Sequence, residues 1–147
     1  MIILLDTNLL LRYVDAKHPS YAPTQAAVRR LRQQGHYLRT AGQNCIEFWN
    51  VSTRPLDRNG FGKTPADAHR SLRRVERLFP VLPELPDVYA TWRQLVVAYG
   101  VSGVQVHDAH LVATMLTHSL THILTFNTAD FTRYTEAGIV VIDPTTI

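Results

Sequence analysis

Four acidic residues stand where solubility does not explain them. Asp6 follows the apolar run Ile2–Leu5 in MIILLDTNLL. Glu47 is set among apolar neighbours in NCIEFWN. Asp108 leads into an Ala-, Leu- and Val-rich stretch in VHDAHLVAT. Asp130 comes just after Ile123–Phe126 in ILTFNTADF. Carboxylates gathered in one place repel one another and resist ionisation, so such a cluster is stable near neutral pH mainly when a cation occupies it. Oxygen donors without cysteine suit Mg²⁺ or Mn²⁺. A carboxylate-held pair of such ions can activate water and brace the leaving oxygen in phosphodiester hydrolysis. Each acid also has a plain structural role open to it. Asp6 can cap the next helix, Asp108 can be a helix N-cap, Asp130 can cap the turn at Phe131, and Glu47 can sit half exposed.

The elements around these acids decide whether they meet. Ile2–Leu5 is a short continuous apolar run, the pattern of a buried parallel strand. Thr7 and Asn8 are residue types that start helices by accepting orphan backbone N–H groups. The pattern predicts helices over Leu9–Val14, Thr24–Gln34 (stopped by Gly35), Thr40–Val51, Thr64–Phe79, Pro86–Tyr99 and Ala109–Ser119. Thr64-Pro65 is a cap followed by proline at the first helical position. Short strands are expected over His36–Arg39, Val81–Leu82, Ile123–Phe126 and Gly138–Ile142, with a polar connection at Arg54–Lys63. Strands alternating with helices argue for a three-layer α/β/α domain around a central, mainly parallel sheet. In that architecture, strand ends and the helix starts they feed share one edge, where ligands bind. Asp6, Asp108 and Asp130 converge there if the pattern holds, with Glu47 leaning in from a helix flank.

The four segments LLDTN, NCIEFWN, VHDAHLVAT and ILTFNTADF, in this order, resemble the signature segments of PIN-domain ribonucleases, and within them the VapC-type toxins of bacterial toxin–antitoxin pairs. The resemblance covers nearly the whole chain. It implies a single PIN-like domain over residues 1–147, Mg²⁺- or Mn²⁺-dependent endoribonuclease activity leaving a 5′-phosphate and a 3′-hydroxyl, a homodimer and a cognate antitoxin. Carried over segment by segment, the catalytic and metal-binding acids are Asp6, Glu47, Asp108 and Asp130. Many relatives place an aspartate nearer the strand end, where this chain has Asn127; either Asp130 is the fourth acid or Asn127 is a neutral, weaker ligand. Thr7, Asn8 and Thr125 resemble the polar residues that orient the acids or a water.

Composition sets outer bounds. The 147 residues suit one domain with a real core, and 46% hydrophobic against 18% charged residues marks a globular chain. The lone Cys45 excludes an internal disulfide and a cysteine-rich zinc site. No apolar run approaches the roughly 18 residues of a membrane span, and the N-terminus has no signal-peptide pattern. A cytoplasmic protein is the expectation. Of the 15 basic residues, seven fall between Arg54 and Arg77: Arg54, Arg58, Lys63, Arg70, Arg73, Arg74 and Arg77. They form either a solvated helix face or a groove for an RNA backbone, whose phosphates give salt-dependent affinity without sequence choice.

Other motifs carry less. His107 and His110 sit three apart and can share a helix face, but an all-helical HD phosphohydrolase does not fit the alternating pattern, so His107 is expected to line the site or face solvent. Gly62-Lys63-Thr64 resembles the end of a P-loop, yet the required earlier glycine is Asp57; a helix start fits better. Cys45 reads as core packing, and Phe48 and Trp49 read as core or dimer contacts and not as a base-stacking platform. Two rivals to a nuclease stay open at this stage. A phosphotransfer or receiver domain wants an acidic pair after the first strand, where this chain has Asp-Thr-Asn. A non-catalytic PIN-like binding module is kept open by Asn127.

Overall fold

A computed structural model describes all of residues 1–147. Five parallel strands form the sheet: β1 (Ile2–Leu5), β2 (Tyr37–Ala41), β3 (Val81–Leu82), β4 (His122–Leu124) and β5 (Val140–Ile142). Their spatial order is β3-β2-β1-β4-β5. Six helices connect them: α1 (Thr7–Val14), α2 (Tyr21–Gln33), α3 (Gly42–Thr53), α4 (Pro65–Leu78), α5 (Val88–Ala98) and α6 (Val106–Thr117). This is the expected three-layer α/β/α domain.

The alternation within β1 divides the core. Ile3 and Leu5 face one side, with Leu9 and Leu10 of α1, Val28 and Leu31 of α2, Phe48 of α3 and Val75 of α4. Leu4 faces the other, with Leu95 of α5, Val112 and Met115 of α6, Phe131 and Tyr134. Because successive strand side chains point to opposite faces, the stretch Ile3–Leu5, buried on both sides, has to be apolar at each position, while Ile2 at its start is exposed.

The strand order places the site. The chain moves from β1 outward through β2 and β3, then returns to build β4 and β5 on the other side of β1. The direction therefore reverses between β1 and β4, the kind of switch point outside whose carboxyl ends α/β sheets bind ligands. Asp6 immediately follows β1 and Thr125 immediately follows β4; Asp6 N donates to Leu124 O at 3.1 Å, tying the two ends together.

Several boundaries differ from the sequence pattern, each for a visible reason. Thr40 and Ala41 are strand, not the start of α3, because they pair with Val81 and Leu82. Helix α1 begins at Thr7, with Asp6 as its N-cap. Helix α6 begins at Val106, so Asp108 is not its N-cap but lies within its first turn. Strand β4 stops at Leu124, so Thr125 and Asn127 lie in the connection beyond the strand rather than in it. A 3₁₀ turn over Thr132–Ala137, unseen in the sequence pattern, ends at Gly138 with φ +90°, and the last strand begins two residues later than expected.

Candidate active site

Asp6 is buried, with 9% exposure, at the switch point directly after β1. Its Oδ1 accepts from Thr7 N at 2.7 Å. Its Oδ2 accepts from Thr125 Oγ1 at 2.7 Å and from Asn8 Nδ2 at 3.0 Å. The capping role and the site role are thus the same role: the donors that hold the carboxylate are the start of α1 and the end of β4. Asn8 is fixed in turn, its Oδ1 accepting from Phe126 N at 3.2 Å. Asn127 N donates to Thr125 Oγ1 at 3.0 Å, so the loop after β4 is strapped to the same hydroxyl.

Glu47 is tied to the start of α1 through a second chain of bonds. Thr7 Oγ1 donates to Glu47 Oε2 at 2.6 Å and accepts from Asn44 Nδ2 at 3.1 Å. Asn44 Oδ1 accepts from Ala41 N at 3.1 Å, which anchors the first turn of α3 to the end of β2. Glu47 therefore sits where the expectation put it, half-buried on the flank of α3, with its carboxylate oriented by Thr7. Gln43 Nε2 donates to Glu47 Oε1 at 3.3 Å and to His107 O at 2.8 Å, joining α3 to the start of α6. Sequence reasoning had no role for Asn44 and Gln43. The available signal was Asn44's spacing of three from Glu47, which puts both on one helix face.

Asp108 is half-buried and Asp130 is exposed, on the 3₁₀ turn Thr128–Asp130. Burial pushes the Asp6 carboxyl above the usual range, opposed by the Thr125 and Thr7 bonds and reinforced by Glu47 and Asp130. Burial likewise raises Asp108, to about 6, with the charges of Asp130, Asp6 and Glu47 adding to it and His107 working against it. The ion pairs in the chain are Arg12–Asp15 and Arg70–Asp67, so none of the four acids is neutralised by lysine or arginine. Asp108 thus lies within reach of three other carboxylate charges, and no lysine or arginine pairs with any of the four.

This donor set fits a hard divalent cation. It is all oxygen, it is short of positive charge, and Asp6 is already oriented by three donors. No three His, Cys, Asp or Glu side chains stand close enough together to hold a metal ion between them. Mg²⁺ does not need three: it keeps several waters and is typically held by one or two carboxylates together with substrate phosphates.

The histidines are not drawn into the cluster as a pair of ligands. His107 and His110 are both exposed, and His110 Nδ1 lies 2.6 Å from Gln43 Oε1. The P-loop-like Gly62-Lys63-Thr64 is a helix start, as expected: Thr64 Oγ1 accepts from Asp67 N at 3.2 Å, and Lys63 Nζ donates to Ser71. Phe48 is fully buried and Cys45 is buried in packing that pushes its thiol up to about 11.

The basic residues are not brought into contact with the acids. Arg54 donates to Asn59 O, Arg70 pairs with Asp67, and Arg77 Nε donates to Arg73 O. Arg58, Arg73 and Arg74 are exposed. Arg70, Arg73, Arg74 and Arg77 ride on α4, which packs on α3 through its apolar side and leaves them to solvent.

Comparison with known proteins adds a family and a fold. The family model described as PIN domain matches residues 3–137. No curated protein matches the chain in sequence. Among solved structures, VapBC-1 from nontypeable Haemophilus influenzae superimposes with a TM-score of 0.70 at 16% identity, covering 99% of this chain and 100% of that one. FitAcB from Neisseria gonorrhoeae gives 0.69 at 23% identity, covering 100% of both chains. A toxin–antitoxin complex from Klebsiella pneumoniae gives 0.64 at 20% identity, covering 99% of both.

Proposed function

This chain belongs to the PIN domain family, and from that premise we propose that it is a divalent-metal-dependent endoribonuclease, the toxin of a toxin–antitoxin pair. The single observation that carries the reading is the uncompensated cluster of Asp6, Glu47, Asp108 and Asp130 at the switch point of the sheet. Asp6 and Asp108 are the principal metal ligands, with Glu47 and Asp130 completing the site. A bound Mg²⁺ or Mn²⁺ supplies positive charge to the scissile phosphate and to the attacking and leaving oxygens.

The chain's own residues do the rest. Thr125, Asn8 and Thr7 N hold Asp6 in one rotamer, so that its charge is preorganised and little reorganisation is required during reaction. Glu47, oriented by Thr7 and Gln43, is the acceptor positioned to take a proton from the attacking water. Asn127, fastened through its backbone to Thr125, occupies the place nearest the strand end. Asp130 is the ionisable group of that loop, and we assign it rather than Asn127 as the fourth acid because its charge raises both Asp6 and Asp108.

RNA is the polymer in this reading. The cations of α4 and the preceding loop, Arg54, Arg58, Lys63, Arg70, Arg73, Arg74 and Arg77, supply backbone contacts outside the catalytic cluster. No helix is long and apolar enough to cross a membrane, and the proposed place of action is the cytoplasm. The similar structure from Klebsiella pneumoniae is a toxin–antitoxin complex; by analogy this chain acts as a homodimer restrained by a cognate antitoxin. Light scattering at micromolar concentration is expected to give twice the chain mass, and a monomer removes the dimer from the proposal.

The test is incubation of the purified protein with total RNA in Mg²⁺, in Mn²⁺ and in EDTA. Discrete fragments with either ion and intact RNA in EDTA are expected. Intact RNA in all three, together with no heat of metal binding by calorimetry, favours a non-catalytic binding module instead.

A further inference from the structure

A cleft leaves the acid cluster beside Glu47 and deepens into a cavity that the cleavage chemistry does not use. Its outer part, of about 560 Å³, is bordered by Glu47, Asn50 and His107. Its inner part, of about 250 Å³, lies over Leu82, Val88 and Tyr89. Gln43, Glu84 and His110 line both parts, so the two are continuous. The inner volume is below the roughly 300–1,000 Å³ of sites for drug-sized ligands; it is the scale of one planar base.

Three side chains on its walls, Glu84, Gln43 and His110, offer acceptors. Glu84 makes no ion pair. Its carboxylate lies over the first turn of α3, where an added Cβ at Gly42 would stand 3.4 Å from Glu84 Oε1. Gln43 spends its amide N–H groups on Glu47 and the His107 carbonyl, which turns its Oε1 toward His110 Nδ1 at 2.6 Å. That bond puts the proton of a neutral His110 on Nδ1 and leaves Nε2 as an acceptor. The floor is apolar, with Leu82 and Val88 both buried, and the ring of Tyr89 is 65% exposed at the rim. An aromatic face at a rim is a platform for a stacked base, whatever its identity.

Acceptors on the walls select a ligand edge made of donors. Guanine presents N1–H and N2–H₂ side by side, a pair that a carboxylate can accept through two parallel bonds. Cytosine and adenine each offer a single exocyclic amino group, and uracil offers one ring N–H.

We propose that the cavity walled by Glu84, His110, Gln43 and Tyr89 is a guanine-binding subsite that selects the base beside the bond to be cut. The role in cutting rests on the ribonuclease reading; the capacity to bind guanine does not. Gln43 links the two sites, since the same side chain bonds Glu47 in the cluster and His110 in the cavity.

The test has two arms. In the first, the ¹⁵N-labelled full chain is titrated in EDTA with guanosine 5′-monophosphate and, separately, with cytidine 5′-monophosphate. The guanine nucleotide is expected to shift the resonances of Gln43, Tyr89 and His110 and to bind at least tenfold tighter than the cytosine one. Glu84→Gln is expected to erase that difference, and Tyr89→Ala to weaken the guanine nucleotide severalfold. Both positions are exposed, and the dispersed spectrum reports that each variant is folded. In the second arm, wild type and Glu84→Gln digest a random-sequence RNA pool in Mg²⁺, and the bases at the cut ends are counted. Enrichment of guanine beside the wild-type cut, lost in Glu84→Gln, supports the subsite. Equal binding of the two nucleotides, or a guanine preference unaltered in Glu84→Gln, overturns it. Intact RNA with wild type in Mg²⁺ instead refutes the ribonuclease reading, and the titration in EDTA still decides the guanine site.

Discussion

Replacing Asp108 by Asn is expected to stabilise the metal-free protein at neutral pH. In the fold, burial and the charges of Asp130, Asp6 and Glu47 raise the Asp108 carboxyl from 3.8 to about 6. The folded chain therefore holds this proton more tightly than the unfolded chain does. Below about pH 4 the group is protonated in both states and carries no penalty. Between about pH 4 and 6 the penalty grows as pH rises, and above 6 it is complete. The full difference corresponds to ~3 kcal/mol. Asp108 is half-exposed, however, and solvent screening reduces the effect to about 1 kcal/mol. Asp108 makes no ion pair, and no hydrogen bond contributes to its raised value, so asparagine breaks no such contact.

In EDTA at pH 7.5 the variant is then expected to melt about 3 °C above wild type, on the scale of about 2–4 °C per kcal/mol for a domain near this size. At pH 4 the two should melt together. Added Mg²⁺ should stabilise wild type and do less for the variant, because the cation neutralises the repulsion that asparagine has already removed. Differential scanning calorimetry at the two pH values decides it. A variant no more stable than wild type at pH 7.5, or a gain that persists undiminished at pH 4, refutes the repelling-cluster reasoning.

Two further changes probe the groups around the cluster. Thr125→Val keeps the shape but removes the hydroxyl that Asp6, Asn8 and Asn127 share; urea unfolding at pH 7 should show a loss of about 1–3 kcal/mol, and an unchanged midpoint would mean that the hydroxyl does not hold the site. Arg73→Ala with Arg74→Ala on exposed α4 should leave the urea midpoint in place and lower the salt slope of single-stranded RNA binding by about 1.4, at about 0.7 per phosphate contact; an unchanged slope assigns α4 to solvent alone.

Much of this architecture is legible in the sequence because the signals that set it are local. Ile3–Leu5 can be apolar at every position only if both faces of the strand are covered, and Asp6 directly after it must then lie at a sheet edge. Thr64-Pro65 marks the start of α4 to the residue, since cap and proline act through neighbouring backbone groups. The failures have the opposite character. Thr40 and Ala41 have nothing local that separates strand from helix; pairing to Val81 and Leu82, about 40 residues away, decides them. Asp108 offers a capping residue type, yet α6 starts two residues earlier at Val106, after a 3₁₀ turn at Gly103–Gln105.

The site divides in the same way. Carboxylates at the ends of apolar runs are visible in one dimension because burying a charge is expensive and demands a reason. The relay from Ala41 through Asn44 and Thr7 to Glu47 is invisible there, because it joins β2, α3 and α1 through contacts that exist only when the sheet is built. The bridge of Gln43 between Glu47 and His110 is hidden for the same reason.

The most direct test of the central claim is cleavage of one end-labelled RNA by wild type and by Asp6→Asn in Mg²⁺, with both proteins shown folded by circular dichroism. Asparagine can still accept the Thr7 N bond, so the fold should survive while the charge at the centre of the cluster is lost. The expected result is metal-dependent fragments with wild type and intact RNA with the variant. Equal metal-dependent cleavage by the two proteins would contradict the assignment of Asp6 and, with it, the placing of the chemistry at the switch point of the sheet.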